Sequence, residues 1–257
     1  MSAAISVKSR FGSNAEATHP PIVHFTRYYA HARDRSQRSS ERQFPGVHNA
    51  LLSTVSPDGF PDARTVSLHE YSDDGFVFCT ARGSPKARQL LASGTAALTF
   101  LWPPSQSQVR IMGRVTEQSR EATLALFDAC TPREQAYYVR TGSGGQFGQS
   151  QVVAVVEDCH DAQQAVDDAG PEYALPDGWT SFILLPHVVE FLCLAQASRM
   201  RYIHVERCRE SGPVHVLHTL PLEAGGEEEA DAGEGEGELA RGGRDAGHGW
   251  HRQDLAM

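Results

Sequence analysis

Several side chains in the first half of the chain are of types that hold anions or move protons. Arg64 is followed by Ser67 and His69 on one apolar-polar alternating segment. Thr80 ends the next apolar run, and Ser84 and Lys86 open the segment after it. Gln108 begins a further run. Hydroxyl, ammonium and guanidinium donors beside a helix N-terminus suit a phosphate, because orphan N–H groups and the helix dipole both favour negative charge there. A histidine close by adds a group that titrates near neutrality.

These residues need elements to position them. Asn49 to Val55 is apolar and ends at the turn Ser56-Pro57-Asp58-Gly59, and Asp62 to Tyr71 alternates after it, a hairpin pattern. Asp73-Asp74-Gly75 turns into Phe76 to Thr80, a third strand. Ser84 as N-cap and Pro85 at the first helical position predict a short helix to Ala92. Ala96 to Trp102 and Gln108 to Thr116 read as strands, Ser119 to Ala129 and Pro132 to Val139 as helices. Further strands are expected at Thr180 to Leu185, Val188 to Leu194, Arg201 to Arg207 and Pro213 to Leu217. Phe25, Tyr28, Tyr29 and Ala32 share one face of a helix between Ile22 and Arg38. Many short strands with tight turns predict a mainly β, α+β fold: a six-stranded antiparallel barrel with peripheral helices.

The chain has 257 residues and a net charge of −9. Ten acidic and three basic residues lie from Glu223 onward, so the body is near neutral and the tail holds the acidity. That balance argues against nucleic-acid binding by bulk electrostatics. No apolar run is long enough for a membrane span, and no secretory signal is visible. Cys79, Cys130, Cys159, Cys193 and Cys208 are odd in number and scattered. Their spacing matches no zinc site and is read as reduced thiols in a cytoplasm. The expected organisation is a disordered segment over 1–22, one domain over 23–222 and a disordered acidic Gly/Glu-rich tail over 223–257.

Four blocks resemble the pyridoxamine 5′-phosphate oxidase family, flavoproteins with an FMN-binding split barrel. The first is Leu51-Leu52-Ser53-Thr54-Val55, Asp58-Gly59 and Arg64-Thr65-Val66-Ser67-Leu68. The second is Gly75-Phe76-Val77-Phe78-Cys79-Thr80 with Gly83-Ser84-Pro85-Lys86-Ala87. The third is Gln108 to Gly113. The fourth is Val189-Glu190-Phe191 with Arg199-Met200-Arg201-Tyr202. Together they span about residues 47–207.

The resemblance implies a homodimer with FMN at the interface. It implies that Arg64 binds the FMN phosphate and that Thr65, Val66 and Ser67 line the isoalloxazine. Cys79, Thr80, Ser84 and Lys86 would complete the cofactor site. Gln108 would reach the flavin from the second subunit, Arg201 from the C-terminal strands, and Ser143 would contact the flavin phosphate or belong to a loop. His69 and Arg199 are the catalytic candidates, with a structural histidine and a barrel-rim arginine as the plain alternatives. No metal is implied.

The chain also departs from the family pattern. His69 stands where the family has a lysine, Cys79 where it has an aromatic, and Pro85 where it has a second basic residue. Leu126 and Cys130 occupy the positions of a tyrosine and an arginine that hold the substrate phosphate. The Arg-x-His-x-Arg of the fourth block is shortened to Arg199-Met200-Arg201. These changes imply an FMN-dependent oxidase with a remodelled substrate site. It would act on a small amine or cyclic intermediate of secondary metabolism, with dioxygen as acceptor. The alternatives are an authentic pyridoxamine/pyridoxine 5′-phosphate oxidase and a non-catalytic flavin-binding barrel. A deazaflavin is the alternative cofactor, which Arg64, Ser84 and Lys86 fit less well than FMN.

Overall fold

The computed structural model describes residues 19–38, 46–141, 173–204 and 249–255. Helix α1 (Pro20–Arg38) precedes strands β1 (Asn49–Val55), β2 (Pro61–Ser72) and β3 (Gly75–Ala81). Helix α2 (Pro85–Ser93) leads to β4 (Thr95–Trp102) and β5 (Ser107–Glu117). Helices α3 (Arg120–Asp128) and α4 (Pro132–Thr141) follow, then β6 (Trp179–Cys193), β7 (Ser198–His204) and β8 (Trp250–Leu255).

All strand pairings are antiparallel, in the order β3-β2-β1-β4-β5-β6-β7-β8. A further pairing of β3 with β6 closes the first six strands into a ring. This is the split barrel, with β7 and β8 as a wing. Closure leaves few open edges, which stabilises a sheet this size.

The sequence pattern predicts two strands where β6 is one. Its register against β5 shifts between Met112 and Gly113, so Gly113 pairs with Pro186 and Met112 with Val188. Pro186 is tolerated at such a bulge. A Cβ on Gly113 would meet the Leu185 carbonyl oxygen at 2.0 Å, so only glycine allows this approach. The first half of β6 thereby closes the barrel on β3, and the second half pairs with β7.

The core fills the barrel. Phe25 of α1 makes edge-on contacts with Tyr71, Phe76 and Phe100, with ring centroids 4.8 to 5.2 Å apart. Trp102 packs into the same cluster, and its indole N–H donates to the Val47 carbonyl at 2.9 Å. Helix α2 buries Ala87 and Leu90 in that core. A second cluster of Phe127, Tyr138 and Trp179 joins α3 and α4 to the start of β6.

Two boundaries differ from expectation. Helix α1 begins at Pro20, inside the segment expected to be disordered. Residues Trp250–Leu255, assigned to a solvated tail, form β8 and pair in register with β7 from Arg199 to His204. Trp250 is buried and meets the His204 ring edge-on at 5.0 Å, so an aromatic anchor holds the strand. The strand expected at Pro213 to Leu217 lies outside the described residues.

Candidate functional site

A cavity of about 600 Å³ opens between β2, β3, α2 and α4. That size suits a small-molecule ligand. Arg64, Thr65, Val66, Ser67 and His69 of β2 line it, as do Cys79 and Thr80 of β3 and Lys86 of α2. The structure thus brings these eight residues together around one cavity. Ser84 sits just behind them, 1% exposed. Its hydroxyl accepts from the Ala87 N–H at 3.4 Å and lies 3.3 Å from the Thr80 hydroxyl. That is the N-cap geometry expected of Ser84, with Pro85 following at the first helical position.

The cationic end is built in advance of any ligand. Arg64 donates to the Thr54 hydroxyl at 2.6 Å and to Gln89 Oε1 at 3.0 Å, and it pairs with Asp62. Gln89 Nε2 donates to Asp62 at 3.2 Å. Lys86 lines the cavity without such a frame. Burial first, then the nearby Arg64 charge, pulls its ammonium pKa down, and Asp62 opposes this. Two cations that repel across a cavity mark a place where an anion is favoured. The donor set of Arg64, Lys86, Thr80 and the α2 N-terminus fits the phosphate ester of a mononucleotide cofactor such as FMN.

The other end is neutral and aromatic. Five residue steps of extended strand separate Arg64 from His69, roughly 16 Å. The register of β2 against β3 shifts between Leu68 and Glu70, so His69 is the bulged residue. Bulges re-aim side chains, and His69 faces the cavity. Its Nε2 lies 3.1 Å from the Tyr138 hydroxyl. Trp179 backs both rings, with centroids 6.1 Å from His69 and 4.7 Å from Tyr138. Burial, and then neighbouring His48, push the His69 imidazole pKa down to about 4. Burial also pushes the Tyr138 phenol above its ordinary range, with Cys79, Cys130, Glu134 and Tyr137 adding to the effect. Both groups are thus neutral around pH 7. Cys79 is raised as well, by burial and Cys130, and is a packing thiol.

Gln108, Arg199 and Arg201 do not reach this cavity within one protomer. They lie on the outer face of the sheet, where Leu51, Thr99, Arg110, Glu190, Arg201 and Gln253 are successive cross-strand partners. Gln108 pairs with Leu101 and Leu192 in the neighbouring row. Glu190, 5% exposed, is the hub. Arg199 donates to its Oε1 at 3.0 and 2.6 Å, Arg201 to its Oε2 at 3.2 and 3.0 Å, and Arg110 to Oε2 at 3.0 Å. Ser143 lies outside the described residues.

Sequence reading did not single out Thr54, Gln89, Tyr137 and Tyr138, nor Glu190 as a charge hub. Gln89 and Tyr138 project from helices whose patterns reveal only a buried face. Among the described residues no cluster of three metal-ligating side chains occurs, and no helix is long and apolar enough to cross a membrane.

Comparison with known proteins bears on the same residues. The family model for pyridoxamine 5′-phosphate oxidase matches residues 39–156. A pyridoxine/pyridoxamine 5′-phosphate oxidase of Gloeothece citriformis is 34% identical over 181 residues, spanning 70% of this chain and 78% of that protein. One from Pseudomonas fluorescens is 34% identical over 190 residues, spanning 70% and 79%. Among solved structures, PhzG of Burkholderia lata, crystallised with tetrahydrophenazine-1-carboxylic acid, superposes with a TM-score of 0.62 at 18% identity. That match covers 99% of this chain and 100% of the other. A pyridoxamine 5′-phosphate oxidase-related FMN-binding protein of Nostoc punctiforme gives 0.56 at 19% identity, covering 74% and 93%. These last two likenesses speak for the fold. By sequence over most of its length, the chain belongs to the pyridoxamine 5′-phosphate oxidase family.

Proposed function

We propose that the chain is an FMN-dependent oxidase that acts on a small amine or a cyclic biosynthetic intermediate. The observation that carries this reading is the division of one cavity into a cationic end and a neutral aromatic end. Arg64, Lys86, Thr80 and the α2 N-terminus would hold the FMN phosphate. The β2 segment Thr65 to Ser67 would lie along the isoalloxazine. Bound FMN supplies the two-electron chemistry, accepting hydride from a substrate carbon and passing electrons to dioxygen to give hydrogen peroxide.

The protein's own residues set what can enter. Leu126 and Cys130 pack with Phe127, Tyr138 and Trp179 in the second apolar cluster. A dianionic phosphate needs several charge-assisted donors, and this cluster provides none. His69, Tyr137 and Tyr138 present rings and neutral polar atoms instead. Water is excluded on one side by Trp179, which is 1% exposed. A planar, weakly charged substrate matches that surface. The tetrahydrophenazine-1-carboxylic acid held by the Burkholderia lata protein is a partly reduced tricycle with a single carboxylate, so it carries less charge than a phosphate ester.

The sheet's outer face carries exposed Leu51 (44%) and Leu101 (63%) beside Gln108 and the Glu190 arginines. In our reading a second copy covers this face, and Gln108, Arg199 and Arg201 serve the partner's cavity. A cytoplasmic enzyme of secondary metabolism is the setting we infer. The curated relatives favour a second reading, oxidation of pyridoxamine or pyridoxine 5′-phosphate.

The test is the visible spectrum of the purified protein, mass spectrometry of its heat-released cofactor, and oxygen uptake. A yellow protein that releases FMN, ignores pyridoxamine 5′-phosphate and consumes oxygen with tetrahydrophenazine-1-carboxylic acid is expected. Brisk uptake with pyridoxamine 5′-phosphate selects the second reading. A colourless protein that takes up no added FMN overturns both.

A further inference from the structure

The cavity's neutral end holds a contact that the family resemblance does not supply. His69 and Tyr138 come from elements far apart in sequence, yet Nε2 and the phenol oxygen are 3.1 Å apart. Phenol is the stronger acid and imidazole the stronger base, so the favoured sense is Tyr138 O–H donating to the Nε2 lone pair. A neutral imidazole carries one proton, and the bond made by one nitrogen decides where it sits. With Nε2 accepting, that proton is on Nδ1.

The surroundings hold this state. Depression of the His69 pKa to about 4 keeps the ring singly protonated through the neutral range. His48 faces it from before β1, and Glu134, Tyr137, Cys79 and Cys130 face Tyr138. The bulge at His69 sets its backbone, while Trp179 packs against both rings. Both side chains line the cavity.

We propose that Tyr138 locks His69 in the Nδ1–H tautomer, making His69 a neutral donor that positions substrate by an uncharged acceptor atom, a ring nitrogen or a carbonyl. The inference rests on the reading that this end of the cavity takes the substrate. It narrows the substrate class to planar rings bearing such an acceptor. A neutral donor hydrogen-bonds an uncharged acceptor without the desolvation cost of a buried cation, and it offers a phosphate no counter-charge.

Two measurements test it. Long-range nitrogen-15 NMR of His69 reports the tautomer directly, with or without FMN bound. Protonated Nδ1 and bare Nε2 are expected between pH 5.5 and 8, and Tyr138→Phe is expected to mix the two tautomers. Nε2–H in the wild-type protein overturns the proposal, and this holds even where Tyr138→Phe does not fold. The second measurement titrates quinoline and naphthalene, two rings of like shape of which only quinoline has an acceptor. Quinoline is expected to bind about fivefold more tightly, one net hydrogen bond's worth. The preference should vanish in His69→Leu and return in His69→Asn, which restores an N–H donor. Equal binding of the two rings in wild type overturns it. Failure to bind FMN, with the Nδ1–H tautomer intact, removes the oxidase reading alone.

Discussion

Arg64 donates through Nη2 to Gln89 Oε1 at 3.0 Å, which ties the cavity's most deeply framed cation to helix α2. Thr54 donates to the same oxygen at 2.6 Å. The guanidinium is therefore aimed by a residue 25 positions away, on the helix whose N-terminus faces the same cavity. Gln89→Leu keeps the volume and removes the acceptor. FMN affinity should fall about tenfold, because a hydrogen bond to a charged group is worth about 1.5 kcal/mol and Asp62 and Thr54 still hold Arg64. Quenching of flavin fluorescence on titration measures it. An unchanged dissociation constant would mean that Asp62 and Thr54 alone set the geometry.

Lys86 makes a different prediction because it has no such frame. Its ammonium pKa is lowered by burial and by Arg64, so deprotonation begins below the ordinary lysine range. Losing that proton removes one of the two cations proposed to face the FMN phosphate. FMN affinity should therefore decline on the alkaline side, starting before free lysine would titrate. Lys86→Met should lose about tenfold in affinity at neutral pH and show a flatter alkaline limb. The same titrations repeated across pH, for both proteins in parallel, check this. Parallel limbs would assign the decline to another group.

Local chemistry explains which parts were legible in the sequence. Ser84 and Pro85 mark a helix start wherever they occur together, and Ser56-Pro57-Asp58-Gly59 marks a hairpin. Hence β1, β2, β3 and α2 were readable, and so was the cluster they carry. His69 was visible as a residue, but its bulge is a register event between two strands and leaves no mark in one of them. Tyr138 depends on how α4 docks on Trp179, a tertiary fact. Strand β8 was hidden by composition, since it follows an acidic glycine-rich stretch and is itself polar. Its one signal is Trp250, an isolated aromatic that finds a pocket against His204.

His69 should also leave a signature in acid stability. Its folded pKa, about 4, lies below the 6.5 of an unfolded histidine. The unfolded chain therefore binds the proton more readily, and stability rises with pH between these values. The contribution is complete above pH 6.5 and is lost as pH falls toward 4. On the order of 2 kcal/mol is involved, after allowance for partial solvent contact. Urea unfolding of wild type and His69→Gln at pH 4.5 and 7 reads this out. The wild type should lose more stability than the variant over that interval, and equal losses would place the titration elsewhere.

Glu190 offers a second test of stability. Burial raises its carboxyl pKa, but hydrogen bonds and charge from Arg199, Arg110 and Arg201 outweigh that and hold it below the usual carboxylate range. Arg110 Nε is itself buried without a partner, while 40% of the Arg110 side chain stays exposed to water. Glu190→Gln keeps the shape and leaves three arginines with no counter-ion at the hub. Glu190 is buried, but the Arg110 and Arg199 side chains are 40% and 33% exposed, so water screens part of the repulsion and the loss is about 1 to 2 kcal/mol. The urea midpoint should drop accordingly at pH 7. Since the folded pKa is lowered, the carboxylate's contribution is present above the unfolded pKa and is lost as pH falls through the lowered folded one, where the two proteins should converge. Adding Arg110→Met to Glu190→Gln should recover part of the loss, since it removes one unpaired cation; a strictly additive cycle would show that the two residues are not coupled.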